Sequence, residues 1–154
     1  VMSEGRVEQV GPPEEVYNTP ASEFVANFLG ASNILDARCT GREADDYIIE
    51  AETFGRMQVP VKKAPNLSGE GLAKLVVRAE KLQLASRDRP ADGALAVDGT
   101  VETVDYQGQA VRYFVRVGAR QLQAINMIDE RPFPEGAEVS LRLRPRDCAA
   151  LPVS

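Results

Sequence analysis

The sequence predicts a mainly β protein, one small antiparallel barrel preceded by a short hairpin and two short helices. Three observations carry that expectation. Apolar and polar residues alternate in short runs from Asn33 onward, the period of strands with one buried face. Turns bearing Gly, Pro and Asn separate those runs. The stretch before Asn33 instead carries proline stops and an apolar face at helical spacing.

The first ten residues read as a hairpin, "VM" and "RVEQV" around a turn at Ser3, Glu4 and Gly5. Pro13 suits the first turn of a short helix, with Glu14 and Glu15 at its positive end. Thr19 and Pro20 repeat the device as N-cap and first helical residue. Phe24, Val25, Phe28 and Leu29 then share one helical face, and Gly30 supplies the stop. Too few apolar residues lie nearby to cover that face. The expectation is that Tyr17, Phe24, Val25, Phe28 and Leu29 form an interface with a neighbouring domain or a second copy.

From Asn33 the strands begin. "ILDARCT", "DYIIEAET" and "GRMQVPV" follow one another, with Thr53, Phe54 and Gly55 as a turn or bulge. Residues 62–73 form a loop, Leu75 to Val77 a buried strand, and Glu80 to Leu82 a short helical or 3₁₀ turn. After a second loop, the hairpin partners "LAVDGTVETVDYQG" and "QAVRYFVRVGA" flank Gln107 and Gly108. "RQLQAIN" pairs with the latter across Gly118, and Val139, Leu141 and Leu143 mark a final strand. An OB fold matches this number and length of strands. No internal repeat and no low-complexity tract is visible. The domain expectation is a connector over 1–31 and a β domain over 32–154.

Composition narrows the function. Hydrophobic residues make up 44% and charged residues 27% of 154, an ordinary globular balance. A net charge of -5 argues against nucleic acid as a partner, since phosphate neutralisation needs a basic face. No histidine is present, which removes the common general base and the Ser-His and Cys-His pairs. Cys39 and Cys148 form no CxxC motif and read as free, partly buried thiols. Asp45, Asp46, Glu50 and Glu52 suit a solvated strand edge better than a metal or acid-base site. Tyr47, Phe54, Tyr106, Tyr113, Phe114 and Phe133 suit packing better than a base-stacking platform. Arg112 and Arg116, and Arg142 and Arg144, share strand faces in pairs and suggest a basic surface, with edge protection as the plainer account. No catalytic, cofactor-binding or metal-ligating residue is expected.

The stretch to Asn33 resembles the end of the nucleotide-binding domain of an importer-type ABC transporter ATPase. Gln9, Gly11, Pro13, Glu15, Val16, Tyr17, Pro20, Phe24, Val25, Ala26, Phe28, Leu29, Gly30 and Asn33 match that pattern. The remainder resembles the TOBE domain that follows in the same family. "LVVRAEKLQLA" is similar to its "VRPEKhxL" element, with Ala79 where proline is usual, a change expected to loosen one turn. "VETVDYQGQAVRYFVRV" is most like the spermidine/putrescine branch, and "PEGAEVSLRLRPRDCAAL" is like the closing element.

The resemblance implies a regulatory and dimer-contact domain. Its partners would be its own nucleotide-binding domain, a second ATPase subunit and membrane permeases. ATP and magnesium would belong to the parent protein, because the sequence has no GxxxxGK[ST] loop and no LSGGQ-type signature. The implied location is cytoplasmic, at the inner face of the membrane through the transporter. The alternative is a small-ligand or oxyanion-binding OB-like module. Tandem repetition and hydroxyl-bearing sites mark such modules, and neither is visible in this sequence.

Overall fold

The computed structural model describes residues 2–3, 6–7, 31–128 and 131–153. The opening hairpin is there, Met2–Ser3 (β1) paired antiparallel with Arg6–Val7 (β2). Both expected helices, opened by Pro13 and Pro20, lie outside the described residues, as do Tyr17, Phe24, Val25, Phe28 and Leu29. Among the described residues there is no α-helix.

Five strands come next in the chain: Ser32–Glu43 (β3), Asp46–Ala51 (β4), Gly55–Pro60 (β5), Gly71–Arg78 (β6) and Gln83–Ala85 (β7). Five more follow: Leu95–Gln107 (β8), Ala110–Val117 (β9), Arg120–Met127 (β10), Glu138–Leu143 (β11) and Ala149–Pro152 (β12). Three 3₁₀ turns interrupt them, Val61–Lys63 (η1), Ala79–Lys81 (η2) and Pro145–Asp147 (η3). The mainly β, antiparallel expectation therefore holds. The chain divides into two compact units, Val1–Val77 with Pro145–Ser154, and Arg78–Arg144.

The first unit holds a five-stranded sheet in the order β12-β6-β3-β4-β5. Leu35, Ile49, Val59, Leu75 and Val77 are wholly buried, each at the alternation its strand dictates. β6 is covered on both faces, because Val76 packs with Ala149, Leu151 and Ile34 on the side opposite Leu75 and Val77. Asn33, buried, donates its side-chain amide to the Val77 carbonyl at 3.3 Å. The β4–β5 turn closes tightly: Phe54 N–H donates to Glu52 O at 2.9 Å around Thr53, whose φ is 76°. That is the strained three-residue turn, occupied here by a β-branched side chain.

The second unit holds a sheet in the order β10-β9-β8-β11-β7. Val101, Val115, Leu122, Ala124, Val139 and Leu141 fill its interior. Gly99 lies where β8 and β9 approach closely; a Cβ there would meet Val115 Cγ1 at 2.7 Å and Arg116 O at 3.0 Å. The sheet curls until its two edge strands meet across Asn126. That side chain accepts from Leu84 N–H at 3.0 Å and donates to the Leu82 carbonyl at 2.9 Å. One amide thus stands in for the backbone ladder that would close a barrel.

The two sheets have the same topology, which the sequence did not reveal. In each, three strands form a meander and the fourth returns to pair with the first. A fifth strand then pairs with the fourth. Both first strands carry a bulge, between Cys39 and Gly41 in β3 and between Val101 and Thr103 in β8. Both fourth strands run into a 3₁₀ turn closed by one bond, Leu82 N–H to Ala79 O at 3.3 Å and Cys148 N–H to Pro145 O at 3.0 Å. The turn forms with Ala79 in the proline position. The fifth strands are exchanged along the chain: β7 follows β6 but pairs with β11, and β12 follows β11 but pairs with β6. The sequence reading gathered these strands into one barrel, and the repeat escaped it because side-chain identity is hardly shared between the halves.

Candidate functional site

The seam bridged by Asn126 is also where the second unit opens. A cleft of about 510 Å³ lies there, walled by β7, the ends of β9 and β10, Ile128 and residues 131–133. Binding pockets of small molecules typically span roughly 300–1,000 Å³. The cleft exists because β7 is only three residues long and meets β10 through a side chain rather than a full ladder.

The 86–90 segment at its rim is held from behind. Arg142 on β11 donates from Nη1 to the Pro90 carbonyl at 2.9 Å and from Nη2 to the carbonyls of Ser86 and Arg89. Its Nε donates to Ser140 Oγ at 2.8 Å, which fixes the guanidinium plane. Arg87 donates to the carbonyls of Gly99 and Val139 at 3.1 and 3.3 Å, with Asp98 and Glu138 beside it as ion-pair partners. A loop of this composition is otherwise expected to be loose. Here two arginines place Arg89 at the cleft.

The opposite wall is aromatic. Tyr113 on β9 and Phe133 meet edge to face, ring centroids 6.3 Å apart at 64°. Phe133 N–H donates to Tyr113 Oη at 3.2 Å. Burial pushes the Tyr113 phenol up from its ordinary value, the Phe133 N–H opposing it, so the hydroxyl keeps its proton at neutral pH. That proton has no acceptor among the described residues. In the first unit, Tyr47 occupies the matching position on the second strand of its sheet, and there the hydroxyl donates, to Leu67 O at 2.8 Å. Each tyrosine pins the connection between third and fourth strands, one as donor and the other as acceptor. Exposed Met127 and Ile128 and cationic Arg131 complete the mouth, with Glu80 as the acidic residue.

The four arginines of the expected basic surface do not form one stripe. Arg112 and Arg116 lie on β9 and Arg142 on β11, with β8 between those strands; Arg144 follows β11. Arg116 pairs with Glu102 at 3.1 Å, and Gln121 bonds the same carboxylate at 2.9 Å. The Gln121 and Arg116 bonds hold the Glu102 carboxyl below its ordinary range. Arg142 is committed to carbonyls, Arg144 is exposed, and Arg112 is half-buried with its Nε unpartnered. Cys39 and Cys148 are buried thiols outside any disulfide, as expected. Glu50 and Glu52 are exposed, and Glu52 accepts from Asp36 N–H at 2.8 Å. Of the aromatics, Tyr47, Phe54 and Tyr113 are buried, Phe114 and Phe133 half-buried, and Tyr106 exposed.

Sequence reasoning missed Asn126, Arg89 and Arg131. Asn126 had a readable signal: it stands two and four residues after Ala124 and Leu122, on the inward register of β10. A polar residue at an inward position needs a partner. The arginines carried no signal, since both lie in loops.

Residues 75–151 match the family model described as the TOBE domain. The spermidine/putrescine import ATP-binding protein PotA of Thermobifida fusca is 38% identical over 116 residues, covering 75% of this chain and 29% of that protein. The Fe(3+) ions import ATP-binding protein FbpC of Rhizobium etli is 30% identical over 151 residues, covering 98% of this chain and 40% of that protein. The chain thus spans less than half the length of these curated relatives. Among solved structures, the cytoplasmic molybdate-binding protein ModG with molybdate bound superposes with a TM-score of 0.63 at 14% identity. That match covers 79% of this chain and 97% of ModG, and it speaks for the fold alone.

Proposed function

Because the chain belongs to the TOBE domain family, we propose that it is the C-terminal regulatory and dimer-contact region of an ABC importer's ATP-binding subunit. The observation that carries this reading is the extent of the FbpC match, which runs over 98% of the chain and so through the segment before Asn33. The relatives are named as import ATP-binding proteins, and the motif at Gln9 to Asn33 is the kind that ends a nucleotide-binding domain. In this role the chain binds its own nucleotide-binding domain and a second subunit, while ATP and magnesium sit elsewhere in the parent protein. Coupling between those contacts and the ATP-bound dimer would be the regulatory output. Location follows from assembly with membrane permeases, at the cytoplasmic side; no helix among the described residues is long and apolar enough to cross a membrane.

The transported solute is proposed as a polyamine, on the strength of the strand pair 101–117 and the PotA names. The FbpC likeness shows how little that pair constrains the cargo. A reading frame running upstream of Val1 should encode a phosphate-binding loop and a signature motif; a frame lacking both overturns the assignment. Sedimentation tests the dimer contact, and a strict monomer at high concentration of the whole subunit with ATP removes it.

A second reading, an oxyanion-binding module, draws on the duplicated topology and on the ModG likeness. Calorimetry with molybdate and sulfate separates the two.

A further inference from the structure

We propose that Asp92-Gly93 is a self-modification site, where the chain converts an aspartyl linkage into an isoaspartyl one. The chemistry needs an aspartate followed by a residue without a side chain. Gly93 N attacks Asp92 Cγ, forming a C–N bond, and the hydroxyl of the protonated carboxyl leaves with the amide proton as water. Water then opens the five-membered succinimide. Cleavage at the main-chain carbonyl routes the backbone through Cβ and Cγ, and cleavage at Cγ restores aspartate. Two dipeptides in the sequence qualify, Asp92-Gly93 and Asp98-Gly99. Glu4, Glu70 and Glu135 also precede glycines, but they would need a six-membered ring, which closes far more slowly.

The structure separates the two aspartates. Asp92 and Gly93 are exposed at the centre of a turn closed by one bond, Ala94 N–H to Ala91 O at 3.1 Å. Both have positive φ, 51° and 84°, the signature of a type I′ turn. Ring closure rotates Asp92 ψ out of that turn, so the reaction waits on a local opening that breaks this bond. Asp98 and Gly99 instead pair with Ser140 and Val139 on β11. Arg87 bonds the Gly99 carbonyl at 3.1 Å and lies 3.6 Å from the Asp98 carboxylate. A Cβ on Gly99 would meet Val115 Cγ1 at 2.7 Å, so the backbone there has little room to swing. Opening that site means lifting β8 from its neighbours.

Placement gives the change a consequence. Arg142 bonds the Pro90 carbonyl at 2.9 Å and pairs with Ala96 in the β8–β11 ladder. The turn thus spans two points fixed by one residue of β11. An isoaspartyl linkage adds one main-chain atom between them and a free α-carboxylate. A tight turn has little slack, so the added length is taken up where Leu95 pairs with Leu143. Age is then written into the start of β8, whatever the chain's role in transport.

The test incubates the 154-residue chain in ¹⁸O-enriched water at physiological pH and temperature, with samples taken over weeks. An endoproteinase that cuts before aspartate but not before isoaspartate, followed by mass spectrometry, reads each site. Isoaspartate carrying a solvent oxygen should accumulate at 92 about tenfold or more faster than at 98, the protection expected of a laddered strand. In denaturant the two rates should converge, since both are then plain Asp-Gly peptides. Asp92→Glu should abolish the signal at 92, and Asp92→Asn should raise it, because a carboxamide is a better electrophile than a carboxylate. Hydrogen exchange at Leu95 and Ala96 should be faster in the isoaspartyl form, with β9 and β10 unchanged. Equal rates at 92 and 98 in the folded chain overturn the proposal, as does a signal at 92 no higher than in Asp92→Glu. Unaltered exchange at Leu95 and Ala96 overturns the consequence drawn for β8.

Discussion

The two units solve one topology in two ways. In the first, the fifth strand β12 pairs with β6 over four positions, Ala149 with Val76 through Pro152 with Ala73. In the second, the fifth strand β7 pairs with β11 over three positions, and Asn126 carries its other edge to β10. The tyrosine on each second strand shows the same divergence, Tyr47 donating a hydrogen bond to Leu67 O and Tyr113 accepting one from Phe133 N–H. A short strand held by a side chain leaves room at the seam. The halves therefore differ in how the fifth strand is held, on the same backbone plan.

The hardest test of this contrast is to remove the exchanged strand. Deleting 145–154 takes Cys148, Ala149, Ala150 and Leu151 from the first unit, all buried. Hydrogen exchange should show β3 to β6 losing protection outright while β8 to β11 keep theirs. Equal loss in both units would mean that the two are not separable.

Next come matched core truncations. Leu75 in β6 and Leu141 in β11 occupy corresponding fourth-strand positions, each 0% exposed. Leu75→Ala and Leu141→Ala should each cost about 3 kcal/mol in denaturant unfolding, by lost transfer energy and an unfilled cavity. A much smaller cost for Leu141 would show that the open unit relaxes around its vacancy.

Asn126→Ala sharpens the comparison further. It strands the Leu84 N–H and the Leu82 carbonyl at a half-buried seam, for a cost of roughly 2 kcal/mol. The smallest effect concerns pH. Burial pushes the Cys148 thiol up from 9.0 to about 12, with Asp147 adding to the rise and Lys63 opposing it. Its folded value lies above the unfolded one, so the stability is complete below pH 9 and declines as pH climbs toward 12. The loss should be on the order of 1 kcal/mol by pH 10 and should vanish in Cys148→Leu. The equivalent of Cys148 in the second unit is Leu82, so this sensitivity belongs to one half.

Much of the fold was legible. Alternation placed β4, β5 and β9, and glycine marked the turns at 108 and 118, because half-buried strands write their period into the sequence. The 3₁₀ turn after β6 was readable from "RAEK". What stayed hidden was long-range. Nothing local in "QLA" says that β7 pairs with β11 rather than staying with the meander it follows. The site was hidden for a similar reason. Arg142 reads as a surface charge, yet its donors converge on three carbonyls more than fifty residues away in the chain.

The exchange of fifth strands has a consequence for synthesis. The second unit is complete once Arg144 has been made, although its first strand to be made, β7, precedes its other four. The first unit begins at the N-terminal side, but β6 must wait for Ala149–Pro152 before its outer edge is paired. During translation the later-starting unit finishes first, and the earlier one remains an open edge until Ala149–Pro152 emerge. An unpaired edge of that kind is a docking template for another nascent chain. Premature termination between Arg144 and Ala149 therefore yields a polypeptide with one folded half and one adhesive one.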